Sequence, residues 1–563
     1  MRNAYLFHPM LAESTFAFRI RLAEKRLSSY PLDNLDFIMV DLEHPPHKYR
    51  HAHQCTTDLT GRTMEFLATA QHMLPHTDAE REYLHTLARR ILLQGDTYAH
   101  VRRFMPYLRY THDPETFATI RRVTDGWIEQ WKRDPTAFDH MHSTCDCYVE
   151  GLAWMYEFTG RKEYAEIAER IARASLDSFE GAHSHGMMTV LRSMLTLAGM
   201  TGDAGIVAEV NEYRKKIREN QYPDGSVAEA FPRSYRNEGC SIADWVILNL
   251  RYYRLTGDRE ALDDAEHSLF NGLFGNQFVT GGFGHRWYAG DTEYGTKVEE
   301  AWWCCTQTGG MAMCAFAENA VQLVDDHIEV LFPIPGEYTI HWHGKTLTLT
   351  IASTYPAEYS VLATLVGDTA IPMTFRQPYY AKNMRVTEHR MASEPDGRSF
   401  TVTADIGHYA EKRREGYVMK YGPLLLAPML YDFEAVGNQY EVTENSVPEG
   451  YIREQIDGDA LCIVAPEDAE RDENGFWRVA CGDDLPLWLA FDDGPGSHTG
   501  TMNLATANIT VLKGNGEETR LCFHPFCYAT SNLTLYNVPL SFGMVHKRGE
   551  SIRVSSRGDT LKK

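Results

Sequence analysis

The sequence predicts a mainly α plus β chain: an N-terminal (α/α)6 barrel followed by C-terminal antiparallel β-sandwich modules. Two patterns carry that expectation. Up to about residue 325, apolar helical stretches are punctuated by five similar breaks, and beyond it apolar residues alternate with period two. Hydrophobic residues make up 43% of the 563-residue chain and aromatics 12%, enough to fill several cores.

The breaks are Leu74-Pro75-His76-Thr77-Asp78, Tyr110-Thr111-His112-Asp113-Pro114, Thr159-Gly160, Thr201-Gly202-Asp203 and Thr256-Gly257-Asp258, roughly 35 to 55 residues apart. In each, Gly or Pro stops one helix, or Thr or Asp caps the next. Gly160-Arg161-Lys162-Glu163-Tyr164 and Gly257-Asp258-Arg259-Glu260-Ala261 look alike. Five to six helix pairs at this period suit a closed toroid, with an open solenoid as the alternative.

From residue 326 the pattern is that of strands. Tyr338-Thr339-Ile340-His341-Trp342 and Thr346-Leu347-Thr348-Leu349-Thr350-Ile351 alternate, and Phe400–Thr403, Tyr417–Met419 and Ile509–Val511 continue the trend between Pro and Gly turns. The chain is therefore expected to divide into residues 1–325, 326–432 and 433–563, the second boundary following Leu424-Leu425-Leu426.

With 55 Lys+Arg against 77 Asp+Glu, the net charge is −22. So acidic a surface argues against nucleic acid or an anionic membrane as partner. No run of 18 apolar residues occurs. The N-terminus lacks a basic-then-apolar leader, and the 11 cysteines do not space as a disulfide framework, so a cytoplasmic location with reduced thiols is expected, a trimmed leader being the alternative.

The chemistry concentrates between Glu229 and Cys305. Glu238-Gly239-Cys240 is followed 64 positions later by Cys304-Cys305, and Glu229 lies just upstream in Ala228-Glu229-Ala230-Phe231. Three thiols and a carboxylate make one tetrahedral zinc shell. Glu238 and Cys240, two apart, can point at one ion from a single turn. A metal-activated thiolate is a strong nucleophile at neutral pH, and a second carboxylate could protonate a leaving oxygen. Retaining glycoside hydrolysis uses this two-group logic, usually with two carboxylates. The competing readings are a buried apolar cysteine pair and a purely structural zinc.

The flanks of these residues resemble the glycoside hydrolase 127 family, typified by β-L-arabinofuranosidase. Ala228-Glu229-Ala230-Phe231 is similar to its Gly-Glu-Ala-Phe motif, Glu238-Gly239-Cys240 to its Glu-Thr-Cys motif, and Cys304-Cys305 to its adjacent cysteine pair. Glu266-His267-Ser268-Leu269-Phe270-Asn271-Gly272, Tyr421-Gly422-Pro423-Leu424, Arg192-Ser193-Met194 and Gly199-Met200 resemble further family segments, in the same order. The resemblance implies the (α/α)6 barrel with β-sandwich modules behind it. It also implies zinc on Glu238, Cys240, Cys304 and Cys305, Cys304 as nucleophile and Glu229 as acid/base. Three departures adjoin the expected sugar pocket. Thr306-Gln307-Thr308 replaces the family's Pro-Pro-Asn, Thr189 stands where the family has a histidine, and the Glu229–Glu238 spacing is short.

Sugar contacts are expected from His142, His185, His285, Trp287 and Tyr288. His140-Met141-His142 with Cys145-Asp146-Cys147 also reads as loop and cap residues or as a second metal cluster, and Trp302 and Trp303 as sugar platforms or core anchors. The expected partner is an oligosaccharide or glycoside ending in β-L-arabinofuranose or a related pentose, deoxy or acidic sugar; a homodimer is left open. A polysaccharide lyase or sugar epimerase on the same barrel, and a non-catalytic carbohydrate-binding protein with structural zinc, are the alternatives.

Overall fold

The structure, a computed structural model, describes residues 2–428 apart from short gaps, the longest at 44–57, and beyond these only the segments 462–463, 477–478, 507–512, 518–526, 540–541 and 544–545. It is a mixed helical and sheet architecture with largely antiparallel sheets.

Each of the five breaks is a junction between two helices. Asp58–Ala70 leads to Asp78–Leu93, His100–Thr111 to Pro114–Arg133, and Tyr148–Thr159 to Lys162–Ser175. Ser184–Thr201 leads to Ala204–Glu219, and Gly239–Thr256 to Arg259–His267. The local chemistry is as the sequence suggests. Thr77 and Glu80 form a reciprocal capping box, and Asp113, Asp203 and Asp258 accept first-turn N–H groups. Gly202 and Gly257 close their helices in the left-handed region, at φ 79° and 75°.

The first helix of each pair is enclosed and the second is not. Ser184–Ala198 is buried at every position, as is Gly239–Leu250, whereas Lys162–Ser175 buries only the stripe Tyr164, Ile167, Ala168, Ile171 and Ala172. The enclosed helices form a ring. Asp58–Ala70 packs on His100–Thr111, that on Tyr148–Thr159, then Ser184–Thr201, Gly239–Thr256 and Cys305–Glu318, which returns to Asp58–Ala70.

A layer of buried charge crosses the ring midway. Glu65 pairs with Arg102 at 2.9 Å, and Glu150 with Arg251 at 2.5 Å and Arg102 at 3.3 Å. Burial alone would raise the Glu150 carboxyl, but Arg251, Arg102 and Arg192 overcome it and hold it at about 2, below its ordinary 4.5. A depressed carboxyl contributes stability that is present above about pH 4.5 and is lost as pH falls toward 2. The difference corresponds to about 3 kcal/mol. Urea unfolding between about pH 5 and pH 3 should show about 2 kcal/mol of that loss. Glu150→Gln should flatten it while costing about 3–5 kcal/mol at neutral pH, because its arginines are left unpaired. An unchanged acid profile in the variant would contradict this account.

From Val321 onward the described elements are almost all strands. One six-stranded antiparallel sheet runs in the order Lys382–Arg390, Gly397–Asp405, Tyr359–Val366, Lys345–Ser353, Gly336–Trp342 and Pro9–Leu11. A second sheet pairs Ala4–Leu6 with Val321–Val324 and continues through His327–Val330 to Met373–Phe375. The first residues of the chain, within the helical region on the sequence reading, therefore belong to the sheets. A third sheet gathers His408–Lys412, Tyr417–Tyr421 and Leu424–Pro428 with later strands.

Two of the sequence motifs explain how sheets dock on helices. Asn271 donates to the Pro423 carbonyl at 3.0 Å and accepts from the Leu425 N–H at 2.7 Å. Beside it, Glu266 takes both guanidinium nitrogens of Arg376 at 3.0 Å and the Tyr380 hydroxyl at 3.0 Å. Asn271→Ala strands two buried backbone groups and should cost about 3 kcal/mol in urea unfolding. An unshifted midpoint would mean that these bonds add nothing. Among the described residues, no helix is long and apolar enough to cross a membrane.

Candidate active site

The site sits where three ring helices begin. Cys240 is the second residue of Gly239–Thr256, Cys305 the first of Cys305–Glu318, and Cys304 the residue before it. A helix N-terminus carries partial positive charge, which favours thiolate. Glu238 ends the strand Arg236–Glu238, which pairs with Gly284–Tyr288 and through it with Glu293–Glu300.

The fold brings the four expected ligands together. Glu238, Cys240, Cys304 and Cys305 are all buried, and their donor atoms lie within 4.8 Å of one another. The Cys240 and Cys305 sulfurs are 3.6 Å apart and those of Cys304 and Cys305 3.7 Å, close but unbonded. Gly239 makes this closeness possible. A Cβ there would stand 3.0 Å from Asn276 Oδ1 and 3.1 Å from the Cys305 Cβ.

The group is electrostatically divided against itself. Burial works against the Cys240 thiolate, yet bonds from Cys304 and Cys305 and the charges of His185 and Arg62 hold it well below its ordinary value. Cys304 is pushed well up by its bonds to Cys240 and Cys305 and by burial, and Cys305 by burial and its bond to Cys240. The protein alone therefore favours one thiolate sharing two thiol protons. Three thiols and a carboxylate this close are a donor set for a metal ion, whose charge would let all three thiols ionise.

His183 and Ser184 link the cluster to the Glu229 loop. His183 Nε2 lies 3.2 Å from Glu238 Oε2; burial opposes its charge, but that bond holds it above the ordinary imidazole range. Glu238 is raised by burial and by Cys240, and His183 brings it to a net value below ordinary. Ser184 donates its N–H to the Glu229 carbonyl at 2.8 Å. Glu229 N–H bonds the Arg236 carbonyl at 3.0 Å, so residues 229–236 fold back as a tight loop, which accounts for the short spacing to Glu238. Within that loop the Arg236 guanidinium grips both Glu229 carboxylate oxygens.

Behind the cysteines lies a second buried network. His185, Thr189 and Arg192 share one face of the helix Ser184–Thr201, at i, i+4 and i+7, and all three meet Asp244. His185 bonds it through Nδ1, Thr189 donates at 3.1 Å and Arg192 pairs at 2.7 Å. Arg62 carries the chain forward, 3.0 Å from His185 Nε2, 2.7 Å from Thr308 Oγ1 and 3.8 Å from Cys240 Sγ.

The departures after Cys305 are all engaged. Thr306 accepts the Phe283 N–H at 3.2 Å, Gln307 donates to the Trp302 carbonyl at 3.0 Å, and Thr308 donates to the Cys304 carbonyl at 3.1 Å. They fix the turn that presents both cysteines.

Of the expected sugar contacts, His185 is 2% exposed and committed to Asp244 and Arg62, and His285 is 7% exposed, opposite Glu238 in the sheet. Trp287 and Tyr288 lie on that same strand, Gly284–Tyr288. His142, with His140, Cys145, Asp146 and Cys147, lies outside the described residues. Trp302 and Trp303 pack edge to face at 5.3 Å. Arg62, Arg236 and Asp244 were not among the sequence candidates. Asp244 is four residues after Cys240, on the same helix face, and that spacing could have marked it; Arg62 and Arg236 offer no local signal.

Residues 104–318 match the family described as β-L-arabinofuranosidase, GH127 catalytic domain. Among solved structures, the chain is similar to a GH127 β-L-arabinofuranosidase from Geobacillus stearothermophilus T6, at 11% identity over 97% of this chain and 100% of that one, with a TM-score of 0.68. A GH127 β-arabinofuranosidase gives 12% identity, 93% and 96% coverage and a TM-score of 0.64. A protein described as a glycoside hydrolase gives 14%, 97% and 98%, and 0.64. At such identities the likeness speaks to the fold. No curated protein matches the chain.

Proposed function

We propose that this chain, a glycoside hydrolase of family 127, is a retaining exo-enzyme that releases a terminal sugar of the β-L-arabinofuranose type through a cysteine nucleophile. In this reading the helix ring is the inner wall of an (α/α)6 barrel, and the sheets beyond residue 321 form β-sandwich modules. The observation that carries the proposal is the buried group Glu238, Cys240, Cys304 and Cys305, with donors inside 4.8 Å, reached from the Glu229 loop through His183 and Ser184.

Those four residues would hold zinc, which when bound supplies ionisation of the thiols at neutral pH. The Cys304 sulfur attacks the anomeric carbon while the glycosidic C–O bond breaks, and Glu229 gives its proton to the leaving oxygen. Water then attacks the same carbon from the opposite side, Glu229 takes its proton, and the C–S bond breaks to return the thiolate. Two displacements at one carbon retain configuration. Cys304 directly precedes the helix Cys305–Glu318, whose partial positive charge at that end favours the thiolate before attack and after release. Before donating a proton, Glu229 must be released by Arg236, whose side chain is partly solvent-accessible.

The test is a screen of aryl glycofuranosides and glycopyranosides, followed by intact-mass analysis under turnover. A glycosyl adduct mapped to Cys304, with retained product configuration, is expected. An adduct on another residue, or inversion, would sink the mechanism while leaving the family assignment standing.

A further inference from the structure

At the end of the helix ring away from the cysteines, the six ring helices line a cavity of about 310 Å3. Each contributes residues from its second half, among them Thr69, Pro106, Trp154, Thr196, Arg254 and Ala315. The N-terminal segment, through Tyr5 and Leu6, adds a further wall.

The cavity is rich in guanidinium groups, and nearly all are accounted for. Arg102 is held by Glu65 and Glu150, and Arg251 by Glu150 and by Thr196 Oγ1 at 2.8 Å. Arg192 pairs with Asp244, Arg109 with Glu157 at 3.7 Å, and Arg2 with Glu329. Arg254 differs: it makes no hydrogen bond or ion pair among the described residues. An arginine near a helix C-terminus ordinarily serves the last carbonyls. Here Arg2 reaches the Tyr253 carbonyl, at 3.4 Å, and Arg254 serves none. Burial, then its neighbours Arg251 and Arg109, pull Arg254 down to about 10 against the opposing charges of Glu318 and Glu157, so the cavity wall holds a guanidinium fork that no described carboxylate engages directly.

A guanidinium fork fits a tetrahedral oxyanion with two parallel hydrogen bonds. The volume exceeds the share of a single water, about 30 Å3, several-fold, leaving room for a small organic body against Trp154, Leu250 and Leu255. We propose that this cavity binds a small ligand bearing a phosphate or sulfate group, with Arg254 as its principal anchor. The site is separate from the cysteine cluster. Its arginines nonetheless adjoin the Arg192–Asp244–His185 chain that ends at Arg62, beside Cys240.

Calorimetric titration of the full chain with inorganic phosphate, ribose 5-phosphate and, as the neutral control, ribose, at constant ionic strength, tests it. Saturable one-site binding of at least one phosphate probe and none of ribose is expected. Equal affinities would point to the free anion as ligand, and a tighter sugar phosphate to an organic one. Arg254→Gln should weaken binding by tenfold or more while leaving phosphate-free turnover unchanged. If that variant does not fold, Arg254→Lys keeps the charge but loses the fork, and should weaken binding by about tenfold. No saturable binding up to about 10 mM, or equal affinities in wild type and variant, would overturn the proposal.

Discussion

Glu229→Gln is expected to fold normally and to lose about 10²–10⁴-fold in kcat on substrates with poor leaving groups. The substitution keeps the side chain's shape and its amide can still meet Arg236, but it removes the carboxyl that carries the proton back and forth in the proposed mechanism. The side chains of Glu229 and Arg236 are 20% and 22% exposed, so losing their ion pair should change stability by less than about 1 kcal/mol. The decisive comparison is between leaving groups. A dinitrophenolate departs without a proton, so formation of the covalent species should be nearly normal for it in the variant, while its breakdown, which needs a base, stays slow. A uniform loss across leaving groups would show that Glu229 positions substrate instead.

Cys240→Ser should bring metal content from about one zinc per chain to near zero after dialysis, with turnover lost in parallel. Cys240 holds the ion in the proposed reading but does not attack, so this variant separates holding metal from bond making; Cys304→Ser would remove both at once. Chelation of the wild type should reproduce the loss and added zinc should reverse it. Because apo thiols are crowded within 3.7 Å, the stripped protein should also melt lower. Full turnover in a zinc-free protein would refute the metal's role.

Much of this site was legible in the sequence because helix starts are punctuated locally. Caps and glycines at Thr77, Asp113, Gly202 and Gly257 announced where helices turn, and helix starts are where the cysteines lie. The Glu266–Gly272 and Tyr421–Leu424 segments stood out too, though only the structure gives their physical reason, a side-chain amide meeting a strand backbone. What stayed hidden is long-range. Arg62 reaches Thr308 across 246 positions and Cys240 across 178, and no periodicity reports that. The N-terminal strands were unreadable for the same reason: three residues, Ala4–Leu6, become a strand only when Val321–Val324 lies alongside.

Four ring helices, Asp58–Ala70, Ser184–Thr201, Gly239–Thr256 and Cys305–Glu318, bring residues near their starts to the cysteine cluster, and the ionic layer lies within the ring. In the proposed reading the segments that shape a sugar pocket lie at or before those helix starts, while the ionic contacts of Glu65, Glu150, Arg192 and Arg251 lie within the helices. An evolving lineage could exchange the 229–236 loop, or the residues after Cys305, and sample new glycosides without disturbing Glu150 and its arginines. The ring divides adaptation from endurance along its own axis, so pocket libraries confined to those loops should yield folded variants far more often than libraries spread over the ring helices.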